Sequence, residues 1–238
     1  LCSRVQSSSS VFFDRSFLDA LNQKTPQIVL LGAGYDTRAY RFANLNKLTK
    51  IFELDIAPTQ NRKKACLKKA QIDIPLNVTL TPIDFNAESL LDVLEKAGYD
   101  QDKRTLFIWE GVSYYLEPES ADATFGFVKT ESRRESMLAF DYAITTAEEN
   151  REQYYGAREF LQTWQKHRQN ESFKFAIDTG AAESFLAQRG LKMINHLDTQ
   201  QIEEAFLLDE NDSLIGRTNG LFRFALAAPD DRPHSSKG

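Results

Sequence analysis

Residues 28–42 of the chain read IVLLGAGYDTRAYRF, and this stretch decides the fold. The first four residues are all aliphatic, a run that is typical of a strand covered on both faces in a parallel sheet. Gly32 and Gly34 follow, and because glycine has no Cβ they allow a sharp turn and a close approach of the backbone to a ligand. Residues 36–42 are then predicted to form a short helix, so the stretch indicates an α/β fold built from a strand, a glycine turn and a helix.

The glycine turn departs from the nicotinamide-binding pattern at one diagnostic position. In a dinucleotide-binding G-x-G-x-x-G motif, the third glycine permits close packing of the helix on the strand. This chain has Thr37 at that position, preceded by the acid Asp36. An NAD(P)-dependent Rossmann oxidoreductase is therefore the alternative and not the preferred interpretation.

Composition and charge narrow the class of protein. A chain of 238 residues, 42% of them hydrophobic and 26% charged, fits one α/β domain, and no apolar run reaches the roughly 18 residues of a membrane span. The net charge of -5 disfavours nucleic-acid binding, which depends on basic patches. Cys2 and Cys66 form no C-x-x-C pair, so we predict neither a disulfide framework nor a metal site. We expect a cytoplasmic protein that acts on small molecules, with no nucleic-acid or membrane partner.

Acidic residues lie at the ends of the predicted strands. They are Glu53 and Asp55 in strand 50–55, Asp84 after strand 78–83, Glu110 after strand 105–109, and Asp141 after strand 137–140. Ligands of an open parallel sheet bind beyond the carboxyl ends of its strands, so Asp55, Asp84 and Glu110 are candidates for one site together with the two glycines. Asp55 lies about 20 positions after Gly34, close to the spacing at which an acid meets the ribose hydroxyls of a nucleoside cofactor.

The remaining segments complete the predicted architecture. The predicted helix over 57–71 carries basic residues that we interpret as a solvated face, namely Arg62, Lys63, Lys64, Lys68 and Lys69. Residues 146–170 are predicted to form a helical insertion, or cap, after strand five, and two more strands are predicted over 192–196 and 220–228. We expect a single domain over 1–228, a disordered tail over 229–238 and, because no initiator Met is present, a trimmed start.

Several motifs, taken together, resemble one family. In chain order they are GAGYDTRAYRF, FELD, IDF, WEGVSYYL, FKF and AAESFLAQRG. The chain resembles the leucine carboxyl methyltransferase family, which includes enzymes that methylate the C-terminal leucine of a protein phosphatase, and bacterial and fungal relatives that act on small molecules. Motifs that occur in order at the ends of four successive strands are more specific than a single glycine pattern. The resemblance implies dependence on S-adenosyl-L-methionine and the Rossmann-like class I methyltransferase fold. That fold has a seven-stranded, mostly parallel sheet with an antiparallel last strand and helices on both faces.

The resemblance also implies which residues bind the cofactor. They are Arg4, Gly32, Ala33, Gly34, Asp36, Asp55, Asp84, Phe85 and Glu110. Asp55 would accept hydrogen bonds from the ribose, and Asp84 and Phe85 would contact the adenine. Glu110 would lie near the amino-acid part of the cofactor, whose carboxylate Arg4 would bind. For Asp84, capping of the next helix is an alternative.

Two residues beside this set have structural interpretations. Glu53 is interpreted as an acid that lies behind the ligand contacts or on the surface, and not as a ligand. Arg38 belongs to the motif, but it could equally hold the glycine turn by pairing with Asp36. Trp109 and Trp164 are predicted to be core residues.

The class of methyl acceptor is inferred from acid–base chemistry. A carboxylate, with a pKa of about 4, is ionised at neutral pH and needs no general base. The sequence offers no His or Lys in a recognisable catalytic motif. We therefore expect an O-methyltransferase that modifies a carboxylate, or else a hydroxyl, of a small molecule or of a protein C-terminus. A non-catalytic S-adenosylmethionine-binding protein is the alternative from a different class.

No catalytic residue is assigned, and the candidates are Tyr114, Tyr115 and Arg158. The two tyrosines follow Glu110 closely and would line either an acceptor pocket or the core. Arg151, Tyr155 and Arg158 recur at i, i+4 and i+7, so they would share a helical face able to bind an acidic acceptor. The alternative is a solvated face that pairs with neighbouring glutamates.

Overall fold

The computed structural model describes residues 8–167 and 174–230 of the 238-residue chain. In these ranges the strands are β1 (Gln27–Leu31), β2 (Lys50–Asp55), β3 (Val78–Pro82), β4 (Thr105–Trp109), β5 (Met137–Thr145), β6 (Ile177–Asp178), β7 (Leu191–Leu197) and β8 (Phe222–Pro229). The α-helices are α1 (Ser8–Asn22), α2 (Arg38–Arg41), α3 (Ala57–Lys69), α4 (Leu90–Lys96), α5 (Pro118–Thr130), α6 (Ala157–His167), α7 (Ala182–Gln188) and α8 (Thr199–Phe206). Short 3-10 helices span Ser113–Tyr115 and Glu148–Gln153. None of the described helices is long and apolar enough to cross a bilayer.

The strands form one mixed sheet in the order β3-β2-β1-β4-β5-β8-β7. The first five strands of the chain pair in parallel, whereas β8 runs antiparallel to both of its neighbours, β5 and β7. The two-residue strand β6 pairs with the end of β5 and was not predicted. The predicted fold class, a mostly parallel Rossmann-like sheet of seven main strands with an antiparallel last strand, is confirmed.

Alternate residues of the buried strands supply two hydrophobic layers. Along β1, Val29 and Leu31 face one layer while Ile28 and Leu30 face the other, and each is at most 1% exposed. Helices α4, α5 and α7 pack on the first face, and α1, α2 and α8 pack on the second. The continuous apolar run of β1 therefore reflects a strand that is covered on both sides.

The fifth strand is longer than its sequence pattern indicates. β5 continues past residue 140 to Thr145, because β8 pairs with it in antiparallel register as far as Ala143. Asp141 consequently lies inside the strand and not at its end. The core role predicted for Trp109 is confirmed, since it is fully buried.

The sequence prediction placed the start of the disordered tail at residue 229, but Pro229 and Asp230 both make tertiary contacts. Pro229 ends β8 and pairs with Leu191 of β7. The N–H of Asp230 donates a hydrogen bond to the carbonyl oxygen of Gly190 at 2.8 Å. These two residues are ordered by contacts that are distant in sequence, and the rest of the predicted tail lies outside the described residues.

The segment after β5 that was predicted as a helical insertion contains a 3-10 helix and α6, and its last residues lie outside the described ranges. The two helices are separate because the carbonyl oxygen of Tyr155 accepts a hydrogen bond from the N–H of Gly220, at 2.8 Å, instead of continuing a helix. The common helical face predicted for Arg151, Tyr155 and Arg158 is therefore wrong. Arg158 is exposed and forms an ion pair with Glu152, which is the solvated alternative.

One residue of the predicted solvated face of α3 is buried. Lys63 is 4% exposed, and its Nζ lies 2.6 Å from Oε2 of Glu53, which is 1% exposed on β2. Burial raises the pKa of the Glu53 carboxyl, and the ammonium of Lys63 opposes that effect. Glu53 is thus an interior acid that joins β2 to α3. The other basic residues of α3 are exposed as predicted: Arg62, Lys64, Lys68 and Lys69.

We expect Lys63→Ala to lower the free energy of unfolding by about 3–5 kcal/mol, because it leaves the carboxylate of Glu53 buried without its counter-charge. Lys64→Ala removes the neighbouring exposed ammonium and should change that free energy by less than about 0.5 kcal/mol. Urea unfolding at pH 7, followed by circular dichroism, measures both values. Equal effects of the two substitutions would contradict a stabilising buried pair.

Candidate functional site

A cavity opens at the carboxyl end of the sheet, between β1 and β4. Its volume is about 430 Å³, within the range of roughly 300–1,000 Å³ that is usual for small-molecule pockets. The strand order reverses here, since β2 and β3 lie beyond β1 and β5 lies beyond β4, and open α/β sheets bind ligands at such a point. The lining residues are Ser10, residues 30–38, Arg41, Ile108 and residues 110–112.

The glycine turn forms one wall of the cavity. Gly32 and Gly34 have φ angles of +68° and +47°, in the left-handed region that favours glycine. A Cβ on Gly32 would lie 2.4 Å from Cγ2 of Val112, so glycine is required where the turn after β1 packs on the turn after β4. A Cβ on Gly34 would meet only the carbonyl oxygen of Gly32, at 3.9 Å, so the space beside Gly34 is open. With Ala33 between them, these glycines expose backbone to the cavity.

Asp55, at the end of β2, is tied to the glycine turn by its side chain. Its Oδ2 accepts a hydrogen bond from the N–H of Gly34 at 2.7 Å. Its Oδ1 accepts one from the N–H of Ile56 at 2.8 Å. A carboxylate oxygen can accept more than one hydrogen bond, so both oxygens retain acceptor capacity for a ligand. The structure thus brings together the turn and the acid that the sequence spacing connects.

Arg38 occupies the centre of a buried ionic cluster, and only 3% of it is exposed. Its Nη1 lies 2.5 Å from Oδ2 of Asp36 and 2.7 Å from Oε2 of Glu110. Its Nε lies 2.7 Å from Oδ1 of Asp14, which also pairs with Arg41 at 2.8 Å. Burial alone lowers the pKa of Arg38, but the surrounding carboxylates outweigh burial and raise it. Arg38 therefore holds the turn by pairing with Asp36, as the structural interpretation predicted, and α1 joins the same cluster.

Glu110 places a negative charge on the opposite wall of the cavity. Its side chain is 24% exposed, and the turn that carries it follows β4 directly. Burial raises the pKa of this carboxyl, whereas the guanidinium of Arg38 opposes the shift. Among the described residues, no three His, Cys, Asp or Glu side chains are grouped in a way that could hold a metal ion.

The predicted adenine contacts lie outside the cavity wall. Asp84 is exposed, and its Oδ1 accepts a hydrogen bond from the N–H of Asn86 at 3.0 Å. It does not cap α4, because Ser89 takes that position and its Oγ accepts from the N–H of Asp92. Phe85 is half-buried against the core. Both residues follow β3, the neighbour of β2, and their contact with adenine stays a prediction.

The acceptor candidates are not in the cavity wall either. Tyr114 is buried, and its ring packs against Tyr115 and Phe222 with centroids 4.7 and 5.2 Å away. Burial raises the pKa of the Tyr114 phenol, which makes it a poorer acid. Arg158 is engaged with a neighbouring glutamate on an exposed surface. Arg4, predicted to bind the cofactor carboxylate, lies outside the described residues.

Sequence reasoning assigned no role to Asp141, which the structure places beside Glu110. Asp141 is 5% exposed, and its Oδ1 accepts a hydrogen bond from the N–H of Gly111 at 2.8 Å. The hydroxyl of Ser113 donates to its carbonyl oxygen at 2.7 Å. Burial and the nearby charge of Glu110 raise its pKa to about 7, against the N–H of Gly111, which lowers it. An acid inside the apolar strand MLAFDYAIT was the signal that could have identified it.

Curated relatives cover most of the chain. The protein YktD of Bacillus subtilis (strain 168) is 29% identical over 198 residues, which cover 79% of this chain and 61% of that protein. A protein of Mycolicibacterium smegmatis (strain ATCC 700084 / mc(2)155) is 30% identical over 184 residues, which cover 75% of this chain and 58% of that protein. Both are described, provisionally, as S-adenosyl-L-methionine-dependent methyltransferases. The chain spans about three fifths of the length of these relatives.

The chain is also similar in fold to solved methyltransferase structures and matches one family model. A provisionally assigned methyltransferase from Thermobifida fusca YX superposes with a TM-score of 0.68 at 15% identity, covering 94% of this chain and 80% of that one. The magnesium protoporphyrin IX methyltransferase of Synechocystis PCC 6803 gives 0.54 at 11% identity, covering 97% and 89%. Identities this low show likeness of fold alone. The model of the leucine carboxyl methyltransferase family matches residues 2–129, more than half of the chain. The chain therefore belongs to the leucine carboxyl methyltransferase family.

Proposed function

We propose that the protein binds S-adenosyl-L-methionine in the cavity between β1 and β4 and transfers its methyl group to an oxygen atom of an acceptor. The observation that carries the proposal is the contact of Asp55 with Gly34, which places an acid and an open glycine turn at the reversal of strand order. Membership of the family and the names of the curated relatives support it.

The residues that line the cavity, and Asp55, which contacts the lining at Gly34, suit the different parts of such a ligand. The open space beside Gly34 lets a ligand approach the backbone, and the carboxylate of Asp55 can accept hydrogen bonds from vicinal hydroxyls. On the wall opposite the glycine turn, the partly exposed carboxylate of Glu110 favours binding of an ammonium group. We assign the adenine to the side of Asp84 and Phe85, because the strand that precedes them neighbours β2. Arg4 remains our candidate for the ligand carboxylate.

Methyl transfer mainly requires that the methyl donor and the acceptor are held in line. When bound, S-adenosyl-L-methionine supplies a methyl group on a positively charged sulfur, which is already activated for displacement. The protein's part is to fix the direction of approach and to exclude water. The described residues that line the cavity include neither His nor Lys. A carboxylate acceptor is ionised at neutral pH and needs neither, so we propose a carboxylate first and a hydroxyl second, on a small molecule or a peptide terminus.

Calorimetry with S-adenosylhomocysteine and with NADH tests the cofactor directly. We expect saturable binding of the first and no heat from the second. A screen with a labelled methyl donor against carboxylates, phenols, alcohols and C-terminal peptides then tests the acceptor class. Binding of NADH without binding of S-adenosylhomocysteine would reverse the proposal in favour of an oxidoreductase. Binding of S-adenosylhomocysteine without any methyl transfer would favour a non-catalytic binding protein.

Asp55→Ala should weaken S-adenosylhomocysteine binding by about 1.5–3 kcal/mol, or roughly tenfold or more, because it removes a charged hydrogen-bond acceptor and releases the N–H of Gly34. Asp209→Ala is a matched control. Oδ1 of Asp209 also accepts hydrogen bonds from two backbone N–H groups, of Asn211 and Ser213, in an exposed loop outside the cavity. Calorimetry on both variants measures the difference, and unchanged affinity in Asp55→Ala would move the ribose contact elsewhere.

Gly34→Val should abolish S-adenosylhomocysteine binding, because its side chain would enter the open space beside the turn. Gly98→Val is the control, since Gly98 also has a positive φ, of +89°, with no atom near its absent Cβ, and lies outside the cavity wall. Both variants should lose stability through backbone strain of about 1–3 kcal/mol. Thermal unfolding measures the backbone strain in each variant, and calorimetry measures whether the new side chain blocks ligand binding. Normal binding by Gly34→Val would exclude this turn as the cofactor site.

A further inference from the structure

Asp141 lies on β5 at the point where β4 ends. The register pairs Trp109 with Phe140, so the next residue on each strand brings Asp141 beside Glu110. Asp141 is 5% exposed, and its Oδ1 accepts the N–H of Gly111 at 2.8 Å. The Ser113 hydroxyl donates to its carbonyl oxygen at 2.7 Å. Two hydrogen bonds therefore attach the turn over 110–113 to β5.

The turn over 110–113 is fixed on its other side by the glycine turn. Val112 packs so closely on Gly32 that a Cβ there would come within 2.4 Å of Cγ2. The turn that carries Glu110 is thus held between β5 and the residues after β1. Without the Asp141 contact, the turn would be held only by the contact of Val112 with Gly32 and by the ion pair of Glu110 with Arg38, so the position of Glu110 in the cavity wall would be less well fixed.

The carboxylate of Asp141 forms no ion pair with another described residue. The guanidinium of Arg38 is already shared by Asp36, Glu110 and Asp14. Within the described ranges, no Lys, Arg or His nitrogen lies at ion-pair distance from Asp141, whose Oδ1 accepts the N–H of Gly111. A nearly buried carboxyl without a cation is favoured in its neutral form until a positive charge approaches.

The groups that face Asp141 come from each neighbouring element. Glu110, the residue after β4, places a negative charge beside Asp141. The Tyr114 phenol, whose pKa is raised by burial, faces Asp141 from the 3-10 helix Ser113–Tyr115 as an uncharged group. From β8, the residue in register with it is Phe224, which is apolar. Arg38 pairs with Glu110, and Asp14 pairs with Arg38. Burial, with the charge of Glu110, raises the pKa of Asp141 to about 7.

We propose that Asp141 is a positioning residue of this site: it holds the turn that carries Glu110 and, when ionised, makes this end of the cavity selective for a positively charged ligand. The inference rests on the proposed function. It concerns the sulfonium of S-adenosylmethionine, because S-adenosylhomocysteine has the same nucleoside and amino-acid groups but a neutral thioether.

The affinity for S-adenosylmethionine is expected to rise with pH, because ligand binding and proton binding at Asp141 are linked. A cation near Asp141 lowers the pKa of its carboxyl, so the bound state takes up fewer protons than the free state and the affinity for the cation rises with pH. The rise occurs as the pH passes through about 7, where the free carboxyl ionises. For a single group, the gain between pH 6 and pH 8 is limited to about tenfold.

The test is the ratio of the Kd of S-adenosylhomocysteine to that of S-adenosylmethionine, measured by calorimetry at pH 6, 7 and 8. We expect the ratio to rise about threefold to tenfold across this range in the parent protein. In Asp141→Asn, which keeps an oxygen for the N–H of Gly111 but removes the charge, the ratio should be independent of pH and S-adenosylhomocysteine should bind within about twofold of the parent. In Asp141→Ala, which removes the acceptor as well, both ligands should bind at least about tenfold more weakly.

Ser136→Ala is the matched structural control. The buried Oγ of Ser136 accepts the N–H of Thr105 at 3.0 Å, so it joins the same two strands at their opposite end, away from the cavity. This variant should leave both Kd values and their pH dependence unchanged. The carboxyl ¹³C resonance of Asp141 in the parent protein gives a second measurement, and its titration midpoint should fall when S-adenosylmethionine is added.

Three outcomes decide the inference. A ratio that does not change with pH in the parent, or one that still changes in Asp141→Asn, would overturn the selectivity of Asp141 while leaving cofactor binding intact. Equal weakening in Ser136→Ala and Asp141→Ala would overturn its positioning role. If the parent binds neither ligand, the proposed function fails, and this inference fails with it.

Discussion

The guanidinium of Arg38 is nearly buried and contacts carboxylates from three parts of the fold. These belong to α1, to the glycine turn and to the residue after β4: Asp14, Asp36 and Glu110. A buried charge is stable only when its partners compensate for the lost hydration, and the flat fork of an arginine can contact several carboxylates at once. The interaction therefore requires all three segments to converge. This convergence defines two walls of the cavity and the position of α1 against them.

The cavity lies where it does because of the order of the strands. β1 and β4 are neighbours in the sheet although β2 and β3 intervene in the chain. The chain continues from β1 to α2 on one face of the sheet and from β4 to α5 on the other face, so a gap opens at the carboxyl ends of these two strands. Asp55 closes the gap on the side of β2 through its contact with Gly34. The turn after β4, which is hydrogen-bonded to Asp141, closes the gap on the side of β5. The described lining of the cavity carries two carboxylates, Asp36 and Glu110, and two guanidiniums, Arg38 and Arg41. The carboxylates of Asp55 and Asp141 contact the lining from outside and add negative charge, which suits a ligand that carries positive charge.

Local pattern was sufficient for the parts of the site that lie close together in sequence. The run before Gly32 predicted a buried strand, and the spacing to Asp55 predicted an acid near the turn; the structure places these groups in contact. Helix periodicity was less informative for charged residues. Lys63 belongs to a basic run that resembles a solvated face, yet it is buried because Glu53 on the adjacent strand offers a partner. Arg158 followed a helical spacing that a hydrogen bond from the loop before β8 interrupts.

By itself, the sequence determined the α/β class, the glycine turn, the acids at the strand ends and the family, because strand and turn preferences depend on neighbouring residues and the motifs are contiguous. The tertiary structure decided which charges share a partner. Arg38, Glu110 and Asp141 are remote in the chain, and their protonation depends on burial and on the groups opposite them. Only the pairing of β5 with β4 and β8 places Asp141 beside Glu110 and removes it from water, and no local pattern encodes that pairing.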